Sequence, residues 1–189
     1  MANALKVDEY YTYTDYLSWD EDERYELIDG VPYMMAPAPT PMHQGVVGEI
    51  GRQIDRYLDG KSCKAFRAPI DVRLNAGEAD DTVVQPDLII VCDKSKIGDK
   101  AVVGAPDMVI EVLSPSTKNY DTVLKLGKYM KAGVLECWLV DTENHIVRVH
   151  IGRGAGRDEQ ITFGWDEEVP VGIFPGFKID MKKVLDAVK

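Results

Sequence analysis

The sequence lacks most of the features that assign a protein quickly. It holds three cysteines, Cys63, Cys92 and Cys137, an odd and scattered set without CxxC spacing, two of them inside apolar strand-like runs. They read as reduced core thiols, which places the protein in the cytoplasm. No apolar run approaches the roughly 18 residues needed to span a bilayer. The start, MANALKVDEYYTYTDY, lacks a basic region followed by an apolar stretch. A soluble, unexported protein without a membrane partner is expected. No Pro/Ser/Gly-rich linker, internal repeat or low-complexity tract divides the 189 residues, so residues 1–189 are expected to form a single domain. Positive charge is scarce too. A formal net charge of -10 argues against gripping nucleic acid by charge alone. Local basic strips remain available from Lys61, Lys64, Arg67 and Arg73, or from Lys118, Lys125, Lys128 and Lys131, and their plainest reading is solvated faces.

What is present alternates between helical and strand periods. TDYLSWDEDERYE reads as a short helix opened by Thr14. YELIDGVPYMM has apolar runs on both sides of Asp29-Gly30, the pattern of a tight hairpin, and that hairpin carries Glu26. APAPTPM is a stiff connection that can continue neither helix nor strand. From His43 to Leu58, Val47, Ile50, Ile54, Tyr57 and Leu58 recur at three and four, which predicts an amphipathic helix ended by Asp59-Gly60. Lys64 to Leu74 alternate at the end, with Ile70, Val72 and Leu74 apolar and Asp71 and Arg73 between them, the pattern of a half-buried strand. DLIIV and MVIEVL are apolar on both faces and are expected at the centre of a covered sheet. Tyr120 to Ala132 then forms a helix with Val123, Leu126 and Met130 on one face and Gly133 beyond its end. ECWLVD follows as a buried strand, so the helix between two buried strands predicts a parallel crossover onto MVIEVL. HIVRVHI, the turn GRGAGRDE and QITF supply a peripheral hairpin, and IFPGFKIDMKKVL a closing segment.

Two carboxylates sit awkwardly in this pattern. Asp87 opens DLIIV, and Glu111 lies inside MVIEVL, where every neighbour is apolar. An ionised carboxylate there is costly unless a cation or hydrogen-bond donor relieves it. If the two strands are adjacent, Asp87 and Glu111 can point the same way and share a divalent ion. Mg²⁺ suits one or two carboxylates and keeps water or phosphate oxygens for its remaining positions, with Mn²⁺ as a substitute. The bland alternatives are a strand-initiating Asp87 after Pro86 and a Glu111 buried against a Lys or Arg. Ser114, Ser116 and Thr117 lack the His/Asp partners of a nucleophile and more simply satisfy backbone groups. His145 and His150 read as sheet or surface residues. Glu49 reads as a helix-surface charge, and Asp71 as a further candidate on the site side.

Pro86-Asp87 followed by a second apolar strand with Glu111 resembles the PD-(D/E)XK nuclease superfamily. More narrowly, YELIDG, His43 opening a helix, PDLIIV, MVIEVLSPST, DTVLKLGKYMKAGVLECWLVD and IFPGFKID resemble the Uma-two family of restriction-endonuclease-like proteins, over roughly Tyr25 to Asp180. The resemblance implies an α/β fold with a restriction-endonuclease-like core, α-β-β-β-α-β, built on a mixed central sheet flanked by helices. The N-terminal hairpin and C-terminal strands are additions to it. It also implies a Mg²⁺-dependent endonuclease hydrolysing DNA phosphodiester bonds, and a homodimer where both strands are cut. Asp87 and Glu111 would hold the metal, with Glu26 and His43 at the site. One departure matters: the superfamily places Lys two positions after the acidic residue, where this chain has Leu113. The resemblance suggests that the lysine has moved to the following helix as Lys125, with Lys128 as second choice. A surface Asp121–Lys125 pair is the plain alternative. Two other readings stay open: a catalytically inactive binding scaffold with the nuclease fold, and a phosphodiesterase for small nucleotides.

Overall fold

The structure, a computed structural model, describes residues 9–19, 24–35, 38–114, 120–152 and 159–189. The acidic turn at 20–23, part of the APAPTPM connection, Ser116, Thr117, Lys118 and most of the GRGAGRDE turn lie outside those residues.

A one-turn helix α1 (Tyr13–Tyr16) precedes the hairpin β1 (Tyr25–Ile28) and β2 (Val31–Met34). Thr12 caps α1, not Thr14, because the Asp15 carboxylate accepts the Thr12 backbone N–H at 2.8 Å and closes the first turn there. Asp29 and Gly30 both take positive φ, 50° and 76°, as the tight hairpin turn requires. Helix α2 (Pro41–Leu58) begins two residues before His43, with Pro41 at its first position and Thr40 Oγ1 accepting the His43 N–H at 3.2 Å.

Next come β3 (Lys64–Arg67), β4 (Asp71–Arg73), β5 (Val83–Val84), β6 (Leu88–Val91), a short 3₁₀ turn (Lys94–Lys96), β7 (Ala101–Val103) and β8 (Met108–Leu113). A π-helical turn (Tyr120–Lys125) runs into α3 (Leu126–Ala132), which Gly133 ends in the left-handed region at φ 96°. The chain closes with β9 (Glu136–Asp141), β10 (Ile146–Ile151), β11 (Glu159–Gly164), β12 (Glu168–Pro170), β13 (Lys178–Asp180) and α4 (Met181–Ala187).

The main sheet has the order β11-β10-β9-β8-β6-β3, with β8 and β9 parallel and the remaining pairs antiparallel. Reading α2, β3, β6, β8, α3, β9 along the chain gives the expected α-β-β-β-α-β core. β4, β5 and β7 leave it and join the N-terminal hairpin in a second sheet, β2-β1-β5-β4-β7. Alternation along the central strands divides the core in two. Ile90, Ile110 and Trp138 pack with Ile50 and Ile54 of α2 and Val184 of α4. Ile89, Val109, Leu113 and Leu139 pack with Tyr129 of α3 and with Ile28, Val72 and Val84 of the second sheet. Each such aliphatic side chain contributes on the order of 1.5–3 kcal/mol by leaving water.

Three further expectations are corrected by the fold. Cys63 and Cys92 form a disulfide, because the antiparallel register that pairs Lys64 with Val91 sets them opposite one another; Cys137 is the free thiol and is buried. Val123 is 75% exposed rather than on the inner face, since the wide π turn shifts the register and turns Asp121, Lys125 and Tyr129 inward instead. His145 sits in the β9–β10 turn with φ 52°, its ring against Trp165, not in a strand. Among the described residues, no helix is long and apolar enough to cross a membrane.

Candidate functional site

β6 and β8 pair so that Leu88 faces Ile110. The next register step brings Asp87 beside Glu111, on the side of the main sheet that looks toward α3 and the second sheet. Their link is direct: Val112 N–H donates to Asp87 Oδ2 at 2.8 Å, and Asp87 N–H approaches Glu111 Oε2 at 3.4 Å. From α2, His43 Nε2 lies 3.1 Å from the same Asp87 Oδ2. Burial works against a protonated His43, but the hydrogen bond and charge of Asp87 outweigh it and raise its pKa above the usual value. His43 therefore contacts a carboxylate, and its role at the cleft runs through Asp87.

Lys125 answers the question of what relieves Glu111. Its Nζ lies 2.7 Å from Glu111 Oε1, 2.9 Å from Glu26 Oε1 and 3.6 Å from Asp121 Oδ1. It also sits 5.9 Å from the Tyr120 ring centroid, within cation–π range. The Lys125 side chain is only 4% exposed, so the surface-pair reading fails. The inward turn of the π segment places it there. Lys128 instead reaches Asp29 at the hairpin tip. Burial alone would lower the Lys125 pKa; Glu111 and Glu26 outweigh that and hold it well above the ordinary lysine value. The group is a fixed cation and a hydrogen-bond donor.

Glu26 comes from β1 of the second sheet, 3% exposed rather than facing solvent. Its Oε1 also accepts the Gln85 N–H at 2.6 Å. Gln85 Nε2 in turn donates to Asp71 Oδ1 at 2.8 Å and to the Tyr16 hydroxyl oxygen at 3.1 Å. Asp71 thus supports the site through Gln85 without reaching it, and burial raises its pKa. Glu49 is buried, not a surface charge: Arg52 clasps both its oxygens at 2.6 Å and Gln53 adds a third bond.

Three carboxylates, Glu111, Glu26 and Asp121, thus gather around one ammonium, with Asp87 beside Glu111. Burial, with Asp121, Asp87 and Glu26 adding to it and Lys125 opposing, pushes the Glu111 pKa up to about 8. That imbalance is what a divalent cation would relieve. The donor set also fits one. His43 and Val112 occupy Asp87 Oδ2, and among the described residues no donor reaches Oδ1; Lys125 and Tyr129 occupy Glu111 Oε1, leaving Oε2 turned toward Asp87. Among the described residues, no three His, Cys, Asp or Glu side chains converge to encircle an ion. Two carboxylates are the number Mg²⁺ commonly takes from protein.

Gln85 carries no individual signal in the sequence, and Tyr129 stands out only as part of the run DTVLKLGKYMKAGVLECWLVD. Tyr129 was nonetheless findable by helical spacing, four residues beyond Lys125 and eight beyond Asp121. Within the basic strips, Arg67 pairs with Asp55 at 2.5 Å, and Arg73 with Asp80 at 2.5 Å.

The comparisons agree with this architecture. A crystal structure from Anabaena variabilis, described as a putative nuclease belonging to DUF820, superposes with a TM-score of 0.76 at 23% identity, covering 95% of this chain and 99% of that one. It establishes the likeness of fold. An uncharacterized protein of Synechocystis sp. is 27% identical over 128 residues, 67% of this chain. The match spans 65% of that relative's own length. The family model Uma2, described as "Putative restriction endonuclease", matches residues 9–182, and the chain belongs to that nuclease family.

Proposed function

We propose that the protein is a Mg²⁺-dependent endodeoxyribonuclease whose reaction centre is the Asp87–Glu111 pair with Lys125. The observation that carries this reading is the register of β6 and β8. It sets two carboxylates side by side, with one oxygen of each left for an ion and a buried ammonium 2.7 Å from the second. Asp87 and Glu111 would hold Mg²⁺ or Mn²⁺, which would supply Lewis acidity toward a phosphoryl oxygen and a lowered pKa of water.

The chain's own residues do the rest. His43 and the Val112 N–H fix the Asp87 carboxylate. Glu26 and Glu111 hold Lys125 from two sides, and Lys125 acts as a cation that stabilises negative charge developing on the phosphate, not as a base. Hydrolysis forms one P–O bond from water and breaks another, with the departing sugar oxygen taking up a proton.

A second reading, hydrolysis of small nucleotides, draws support from the net charge of -10 and from Arg67, Arg73 and Lys128 being engaged by Asp55, Asp80 and Asp29. One experiment separates the readings. Supercoiled plasmid, single-stranded DNA and a dinucleotide are incubated with purified protein in Mg²⁺ or Mn²⁺, beside Asp87→Ala, Glu111→Ala and Lys125→Ala checked for folding. Plasmid nicking lost in all three variants is expected. Cleavage confined to the dinucleotide favours the small-nucleotide reading, and no cleavage together with no metal binding by calorimetry leaves an inactive scaffold.

A further inference from the structure

The two oxygens of Glu111 are treated differently by the protein. Lys125 Nζ reaches Oε1 at 2.7 Å, and the Tyr129 hydroxyl donates to the same oxygen, while Oε2 faces the Asp87 N–H at 3.4 Å. Tyr129 has no solvent exposure and lies on α3 one turn beyond Lys125. Its ring belongs to the core packed by Val109, Leu113 and Leu139, a space that phenylalanine would also fill. The hydroxyl, buried at the cost of its hydration, makes its bond to Glu111.

We propose that Tyr129 is a positioning residue that, together with Lys125, fixes the Glu111 carboxylate with Oε2 turned toward Asp87 and the metal. The inference rests on the reading of Asp87 and Glu111 as the metal pair. It assigns the two helix residues different tasks. Lys125 supplies charge and direction, whereas Tyr129 is neutral and supplies direction alone. Turning the Glu111 carboxylate part-way about its terminal bond would break both contacts and swing Oε2 away from Asp87. Without the phenol, one of two restraints on that rotation is gone, while the charge of the cluster is unchanged.

Mn²⁺ affinity by calorimetry tests this, measured well below the thermal midpoints on wild type, Glu111→Gln, Tyr129→Phe and a variant with 4-aminophenylalanine in place of Tyr129. Partners that orient a metal ligand are worth roughly 10–100-fold in affinity, and Tyr129→Phe is expected at about 10-fold weaker. The Mn²⁺ concentration for half-maximal nicking should rise by a similar factor, with kcat at saturating Mn²⁺ retained. The aminophenyl variant keeps the ring and a neutral N–H donor, and should restore the affinity. Wild-type affinity in Tyr129→Phe overturns the inference alone, provided Glu111→Gln abolishes binding. Loss in Tyr129→Phe without rescue also overturns it, because packing would then be the cause. Absence of Mn²⁺ binding by the wild type overturns the metal-pair reading and this inference with it.

Discussion

Two glutamates lie buried on neighbouring parallel strands, Glu111 on β8 at 3% exposure and Glu136 on β9 at 1%. Glu136 is closed by neutral donors: Trp138 Nε1–H at 2.6 Å on Oε1 and Ile173 N–H at 2.9 Å on Oε2. Each of its oxygens is committed, and the residue ties the β12 side of the core to the main sheet. Glu111 has a cation, three other carboxylates nearby and one oxygen turned to a cleft partner. The difference teaches that burial of a charge alone says little about function. What separates the two is whether the surroundings complete the carboxylate's bonding or crowd it with like charge, and the second is the arrangement expected of a functional group.

The comparison breaks first at Lys125. Removing the one ammonium with Lys125→Met leaves buried carboxylates uncompensated and should cost about 3–5 kcal/mol in chemical denaturation. Combining it with Glu111→Gln should return part of that loss. If Lys125→Met is as stable as wild type, Lys125 does not compensate the charge of this cluster.

Glu111→Gln alone should leave stability within about 1 kcal/mol, since the amide keeps an acceptor for Lys125 or Tyr129 and relieves repulsion. Plasmid nicking should nevertheless fall at least about 100-fold, near 2.7 kcal/mol of barrier. The mirror experiment, Glu136→Ala, should do the opposite. It strands the Trp138 and Ile173 N–H groups, at about 1–3 kcal/mol each, and should leave kcat within about 2-fold of wild type. Equal effects on nicking from both substitutions would erase the distinction.

The smallest effect sharpens it with a third carboxylate. Burial works against the charge of Asp81, but hydrogen bonds from Tyr10, Asn75 and Thr82 outweigh it and hold its pKa below the usual value. Its stabilisation is present above the unfolded carboxyl value of about 3.9 and is lost as pH falls through the lower folded value. Asp81→Asn should therefore be less stable than wild type at neutral pH, with the gap narrowing toward pH ~3 in urea titrations. A gap that widens in acid would reverse the sign argued here.

Much of this could be read from the sequence because it depended on local pattern. The hairpin at Asp29-Gly30, the α2 stripe and the adjacency of β6, β8 and β9 all follow from short-range periodicity and connection rules. Glu111 stood out because its neighbours are apolar. Glu136 did not, since a charged residue opening ECWLVD looks like a solvent rim; its partner Ile173 lies far along the chain. The second sheet was hidden for a related reason. β5 and β7 are two and three residues long, too short to show a period. Val123 was misplaced by a helical reading at 3.6 residues per turn, and the π segment winds more widely. Cys63 and Cys92 meet through strand register, which spacing along the chain does not reveal.

Relocating the lysine from strand to helix has an electrical consequence. With the ammonium delivered by the π-helical turn before α3, position 113 holds leucine, and all six residues of β8 are buried. The floor beneath Lys125 and Glu111 is then hydrocarbon. Attraction between unit charges scales inversely with the effective dielectric constant. The same 2.7 Å separation between Lys125 and Glu111 therefore acts more strongly over this insulating base than it would over a wet one, and a single leucine becomes part of the site's electrostatics without carrying any charge.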